Sequence, residues 1–345
     1  MITEQNAPRA GTSLARRIVF TALDTVDMVD TEVPSTPGPQ DVVVETSHVG
    51  ICGSDIAALA GRDPWFTPPL TTGHEVTGRV GSIGRDVTGL KPGDPVLLNP
   101  LVTCGACERC QRGTVNQCEA AAVRGYRIPG AAATRIAVSS GELHRLPPSL
   151  DLASATLAEP LAAAWRAATR WDELDRVAVI GAGSIGLLVL AALRHRGAGD
   201  VVVVEPDATK RDLALARGAG SAIPPGEPPT AARFTAVFDC VSSEHTLRWA
   251  SAATLGGGAV VAVGVPDGPR AVELPRMQRF EIALLGSGLY TPSDVDTAIA
   301  LIAEGVVDVR PLISGLYPLN RAAEAYQNAR DPQTVKTLIE MIGPE

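Results

Sequence analysis

The run RVAVI-GAGSIG-LLVLAALRH, residues 176 to 195, passes from a short apolar strand through a glycine turn into a Leu/Ala-rich helix, and this succession most constrains the fold. A strand apolar at successive positions is buried on both faces, which requires a sheet covered by helices on each side. The same grammar continues through DVVVVEP, DATKRDLALARGA, FTAVFDCV, EHTLRWASAATL, AVVAVGV and EIALLGSGL. Strands alternating with helices predict a parallel α/β sheet over this half of the chain.

The first half follows a different pattern. From about 18 to 148, short β-type runs such as DVVVETSHVGI, HEVTGRVGSI and DPVLLNP are punctuated by Gly, Pro and Asp at turn spacing, which predicts mostly antiparallel β. The tail from about 291 predicts helix at DVDTAIALIAEG, then β, then helix at LNRAAEAYQNA, returning to the first domain. At 345 residues the chain exceeds one ordinary core. The expected division is therefore a β-rich domain over 1–160 with a cysteine lobe at about 100–120, a nucleotide domain over 161–290, and a return over 291–345. IPPGEPPT, 223–230, reads as a surface loop.

Within the glycine turn each residue type has a physical reason. Gly181 permits the tight turn, Gly183 lets the backbone approach a pyrophosphate, and Gly186 lets the helix pack close to the strand, while Ser184 and Ile185 open the helix whose N-terminus faces the phosphates. Glu205 ends the next strand, where a carboxylate accepts hydrogen bonds from ribose hydroxyls and repels a 2′-phosphate, so NAD is expected over NADP. Arg211 and Gly264 are further candidates on the cofactor side. A packing turn followed by a solvated acid is the plainer alternative.

Six cysteines fall into distinct settings. Cys104, Cys107, Cys110 and Cys118 lie in one short loop with Gly105, Gly113 and Asn116 among them, a spacing that wraps one tetrahedral zinc at about 2.3 Å per sulfur. Four thiolates close the coordination shell, so this site is structural. Cys52, His74, Glu75 and Glu159 are dispersed, and one thiol, one imidazole and carboxylates suit a zinc with an open position. Taken singly, each is first read as something plainer: Cys52 as a small buried hydrophobe, His74 as a core imidazole, Glu75 and Glu159 as surface acids; only their combination points to a metal. Cys240, in VFDCV, reads as a mid-strand core residue.

The order of these motifs, GIC52GSD, G73HE, LKPGD (90–94), the four-cysteine loop, Glu159-Pro160 and the glycine turn, resembles that of the medium-chain, zinc-dependent alcohol dehydrogenases over about 17 to 340. A Glu at 159, where liver-type alcohol dehydrogenases have Cys, resembles the polyol (sorbitol) and threonine dehydrogenase branch. The resemblance implies an α/β fold with a Rossmann, doubly wound parallel sheet inserted in a β-rich GroES-like catalytic domain, and an active site in the cleft between. It implies that Cys52, His74 and Glu159 hold the catalytic zinc, with Glu75 binding directly or exchanging with water, and that Asp55 hydrogen-bonds His74. It further implies NAD-dependent oxidation of a secondary hydroxyl of a polyol, sugar or cyclitol, with an amino alcohol, threonine or simple alcohol as alternatives, in a homodimer or homotetramer. Ser54 is the candidate to take the hydroxyl proton, while Ala57 stands where many relatives carry the His that ends the relay. GAAATR, 130–135, replaces the branch's Gly-Phe-Ala-Glu-Tyr, leaving Trp65, Phe66, Trp165 and Tyr290 as candidate pocket walls.

Composition narrows the partners. A net charge of −8 without any basic run leaves no footprint for nucleic acid or anionic lipid. No apolar stretch approaches the roughly 18 residues that span a bilayer, and the N-terminus lacks an export pattern, so a cytoplasmic enzyme with a small-molecule substrate is expected. A zinc-ribbon module leaves the glycine turn unexplained, and a zinc-free quinone or enoyl reductase leaves Cys52 and His74 unexplained. A non-catalytic NAD-binding redox sensor is also consistent with the sequence.

Overall fold

The computed structural model describes residues 11–63, 66–227 and 231–342. Trp65 and the end of the 223–230 loop lie outside them.

Among the described residues, the nucleotide half forms a six-stranded sheet in the order Ser221–Ile223, Asp200–Val204, Arg176–Ile180, Phe234–Asp239, Thr254–Ala262, Ala283–Gly286, every pairing parallel. The order reverses about Arg176–Ile180, the first strand of the sheet in sequence, which is where ligands bind in open parallel sheets. Its central strands are almost wholly buried: Phe234–Asp239 has no exposed residue, and Arg176–Ile180 exposes only its first. Helices Ser184–His195, Ala158–Ala168 and Pro292–Ala303 supply much of the largest apolar cluster, which covers one face, while Trp249 and Met277 join the cluster on the other.

The β-rich half centres on a seven-stranded sheet in which Asp41–Ile51 pairs antiparallel with Glu75–Ile83, Arg135–Ser139 and Lys336–Glu340. Lys336–Glu340 also pairs parallel with Ile313–Pro318, so the tail closes the sheet that the first half began. The tail helices are Pro292–Ala303 and Ala322–Asn328, as the apolar spacing predicts. The cysteine loop projects from this half, its base closed by the two-stranded pair Leu101–Val102 and Ala122–Val123.

Cys240 lies just past its strand, which ends at Asp239, rather than within it, but it packs half-buried against the main core as expected, its Cβ lying 3.9 Å from where a Gly181 Cβ would stand. No helix among the described residues is long and apolar enough to cross a membrane.

Candidate metal centres and dinucleotide cleft

Pairing of Asp41–Ile51 with Glu75–Ile83 sets Gly50 opposite Glu75, which brings Cys52, just beyond one strand, beside the His74-Glu75 pair at the start of the other. Two glycines make the approach possible. A Cβ on Gly50 would stand 2.0 Å from Glu75 Oε2, and Gly73, at φ 96°, would drive a Cβ to 2.6 Å from the Ala132 nitrogen. The result is a thiol, an imidazole and a carboxylate with ligand atoms within 4.8 Å of one another.

Partners fix each group. Asp55, in the first turn of helix Gly53–Leu59, accepts from the Cys52 N–H and from Thr72 Oγ1, each at 2.9 Å, and its Oδ1 lies 3.6 Å from His74 Nδ1. That Nδ1 is buried without a hydrogen-bond partner, so the charge of Asp55 orients it, while the ring is hydrogen-bonded to the Cys52 side chain, a contact that an ion between the two would replace. Burial opposes the imidazolium, yet Asp55, Cys52 and Glu159 together hold His74 well above the usual range. The cluster therefore favours positive charge where an ion would displace the proton.

Glu75 is fully buried and paired with Lys336, whose Nζ donates to its two oxygens at 2.6 and 2.8 Å and to the Ile51 carbonyl at 3.1 Å. Glu159 lies outside the three-ligand group, in the first turn of helix Ala158–Ala168, where its Oε1 accepts from Tyr290 Oη at 2.5 Å. Burial pushes Glu159 up to about 7; His74, Tyr290 and Lys336 oppose the rise and Glu75 adds to it. Ser54 is hydrogen-bonded to Tyr126, a buried phenol whose ring centroid lies 5.4 Å from that of His74. Burial raises Tyr126 and Tyr290 well above the ordinary phenol, so both remain donors.

Of the candidate walls, Tyr290 reaches the cluster. Phe66 packs against Phe20 in the β-domain core at 5.6 Å, and Trp165 lies 5.9 Å from His195, at the end of its helix remote from the glycine turn, so both are packing residues. Sequence reasoning missed Lys336, Tyr126 and Thr72. Lysine is scarce, at 91, 210 and 336 alone, which is the one signal that could have marked Lys336, and nothing marked the other two.

The four-cysteine loop gathers its own ligands. Sulfurs at about 2.3 Å from a common tetrahedral centre stand about 3.8 Å apart. Cys104 lies 3.9 Å from Cys110 and 3.6 Å from Cys118, and all four cysteines fall within 4.8 Å of one another as free thiols. Backbone N–H groups of Ala106 and Cys107 draw the Cys104 thiol down to about 6, while desolvation pushes Cys110 up to about 11. The donor set and spacing fit one zinc.

At the glycine turn, Gly181 has φ 91°, a Cβ on Gly186 would stand 1.9 Å from the Gly181 carbonyl oxygen, and a Cβ on Gly183 would enter open space. Helix Ser184–His195 begins at Gly183 with no side-chain cap, and Ser184 Oγ is buried without a partner. Uncapped N–H groups and a spare hydroxyl fit a phosphate. Beside them opens a cleft of about 290 Å³ lined by Gly181, Glu205, Pro206, Val241, His245 and Trp249. Glu205 accepts from the Ala182 and Asp207 N–H groups at 2.7 and 3.0 Å, so it braces the turn as well as facing the cleft. Gly264 packs on the Val241 backbone, where a Cβ would stand 2.6 Å from the Val241 carbonyl carbon. Ile185 packs half-buried on the main core. Arg211, beside the cleft, donates its guanidinium to the Glu205 and Pro206 carbonyls at 2.8 and 2.7 Å, capping the strand end. His245 and Trp249 carried no signal in the sequence.

Known proteins resemble this chain over most of its length. Residues 38–148 match the alcohol dehydrogenase GroES-like domain, and residues 184–304 match the zinc-binding dehydrogenase family. The chain is 32% identical, over 88% of its length and 92% of the relative's, to a 2-dehydro-3-deoxy-L-galactonate 5-dehydrogenase of Pseudoalteromonas atlantica. It is 28% identical to a sorbitol dehydrogenase of Arabidopsis thaliana, covering 88% of this chain and 89% of that one. The structure of a zinc-binding dehydrogenase from Sinorhizobium meliloti 1021 bound to NADP superposes with a TM-score of 0.87 at 29% identity, covering 95% of this chain and 99% of that one.

Proposed function

The chain belongs to the zinc-binding dehydrogenases with an alcohol dehydrogenase GroES-like domain, and from that premise we propose that Cys52, His74 and Glu75 hold a catalytic zinc at which a secondary hydroxyl of a polyol, sugar or sugar acid is oxidised. It is an oxidoreductase acting on CH–OH groups. The observation that carries the assignment of the site is the gathering of one thiol, one imidazole and one carboxylate within 4.8 Å in a buried position.

When bound, zinc supplies Lewis acidity and the nicotinamide accepts the hydride. The residues do the rest. Asp55 orients His74 and offsets its charge, and Lys336 steadies Glu75. Ser54 is placed to take the hydroxyl proton and pass it to water, and its bond to Tyr126 fixes its direction. Glu159, held by Tyr290, places a carboxyl group at the margin of the cluster, where it can exchange a proton with a water or substrate hydroxyl. Gly181, Gly183, Ser184 and Gly186 receive the pyrophosphate, and Glu205 receives the ribose hydroxyls. NAD is preferred, because the carboxylate opposes a 2′-phosphate.

Two further readings accompany this one. The outer strand Ala283–Gly286 ends the six-stranded sheet with Leu284 43% exposed, an edge suited to pairing with a second copy, and we assign the chain a homodimer or homotetramer. Its free thiols suit a reducing cytoplasm. The test measures NADH and NADPH formation on a panel of polyols, sugars and sugar acids, before and after chelation, beside the zinc content. Activity abolished by chelation and about two zinc ions per chain support the reading, whereas turnover that survives the loss of all zinc overturns it.

A further inference from the structure

The crossover leaving strand Ala283–Gly286 for helix Pro292–Ala303 contains Leu289 at φ 53°, in the left-handed region that side chains branching beyond Cβ seldom adopt. Such a conformation persists where the surroundings over-determine it. Both ends of the crossover are fixed. The Ser287 N–H donates to the Ala262 carbonyl at 2.9 Å, extending the sheet, and Thr291 caps the following helix in a reciprocal pair with Asp294.

Between these ends, two side-chain bonds bracket Leu289. Tyr290, 1% exposed, donates to Glu159 Oε1 at 2.5 Å. On the other side Asn116 Nδ2, in the turn Val115–Gln117 of the cysteine lobe, donates to the Gly288 carbonyl at 3.1 Å. Asn116 Oδ1 is buried with no partner, so the Gly288 bond alone orients this amide. The bond lies near the surface, between half-buried Asn116 and exposed Gly288, and ties the lobe to the crossover directly.

We propose that Asn116 is a positioning residue: by holding the Gly288 carbonyl it keeps Leu289 left-handed and the Tyr290 hydroxyl on Glu159, so that the four-cysteine lobe sets the geometry beside the buried cluster. The coupling runs both ways, because whatever releases the crossover also releases the lobe. The kinetic part rests on the dehydrogenase reading; the coupling itself does not.

The test uses the full-length, zinc-loaded protein with Asn116→Ala, Leu289→Gly and the double variant. Asn116→Ala is expected to keep about two zinc ions per chain and lower kcat about fivefold, the scale of one neutral hydrogen bond, with KM for alcohol and cofactor within about twofold. Glycine adopts positive φ without steric cost, so Leu289→Gly alone should stay within about twofold of the parent, and in the Asn116→Ala background it should restore kcat. Parent-like kcat in Asn116→Ala, or a loss that Leu289→Gly leaves in place, overturns the proposal. A second arm needs no turnover: Tyr290→Phe, which cannot hold Glu159, should speed amide hydrogen exchange in residues 104–118 about fivefold, and unchanged exchange there overturns the coupling. A parent inactive on every alcohol would sink the dehydrogenase reading, and the exchange arm would then decide the coupling alone.

Discussion

The two ligand clusters are built in opposite ways. Cys104, Cys107, Cys110 and Cys118 come from one short loop, Cys104 exposed and Cys118 buried, and the backbone of that loop already solvates a thiolate. Cys52, His74 and Glu75 come from the facing ends of two paired strands, and Lys336, which neutralises Glu75, arrives from the C-terminal strand. The loop needs little more than its own turns. The buried cluster exists only once the seven-stranded sheet has closed around it, so changes there should disturb chemistry and folding together, while changes in the loop should disturb folding first and chemistry only modestly, through Asn116.

The largest effect tests that separation directly. His74→Ala should lower kcat/KM by roughly three orders of magnitude or more and remove one zinc of two, leaving the four-cysteine zinc in place; retention of both ions would break the assignment. Next comes the buried pair. Lys336→Met leaves Glu75 charged and unpaired in the core, which costs about 3 kcal/mol in zinc-free protein, measured by denaturant unfolding. Zinc on Glu75 would replace the lost charge, so the zinc-loaded protein should lose clearly less. Equal losses with and without metal would show that Glu75 does not bind the ion.

The unequal legibility of the sequence follows from the same contrast. GAGSIG and the cysteine loop are local devices, in which each residue acts on neighbours a few positions away, so their spacing carries their geometry. Cys52, His74 and Glu159 stood out because six motifs occur together in order, since no local rule links residues so far apart. Lys336, Tyr126 and Tyr290 act by arriving from other elements: a buried lysine is ordinary in sequence until strand register sets it beside Ile51. Trp165 and Phe66 failed as pocket walls for a related reason, because nearness in sequence to a ligand does not fix which way a ring faces. Glu205 was read for its acidity, but its bonds to the Ala182 and Asp207 N–H groups depend on how the loops fold back.

A more moderate effect concerns orientation. Asp55→Asn keeps the size of the side chain and a carbonyl oxygen for Thr72 or the Cys52 N–H, yet removes the charge facing His74. Zinc affinity at the buried cluster should fall about 10- to 100-fold, as outer partners of ligating histidines typically contribute, while the loop's affinity stays unchanged. Competition with a chelator of known affinity measures both. A parallel loss at the two clusters would mean that they share a folding unit.

The smallest effect on turnover should come from the loop itself. Cys107→Ser removes one of four thiolates, and the zinc it helps hold contributes folding energy to a segment with little core of its own. The thermal midpoint should drop by about 5 to 10 °C, because a lost structural ligand is worth several kcal/mol and each kcal/mol moves a chain of this size by about 2 °C. Below that transition, kcat should remain within about tenfold of the parent, since among the described residues the loop's side-chain link toward the buried cluster is the Asn116–Gly288 hydrogen bond. The size of that residual loss measures how far the two clusters communicate. Full retention would make the lobe a stability device alone, and a loss matching that of Asn116→Ala would trace the communication to this one amide.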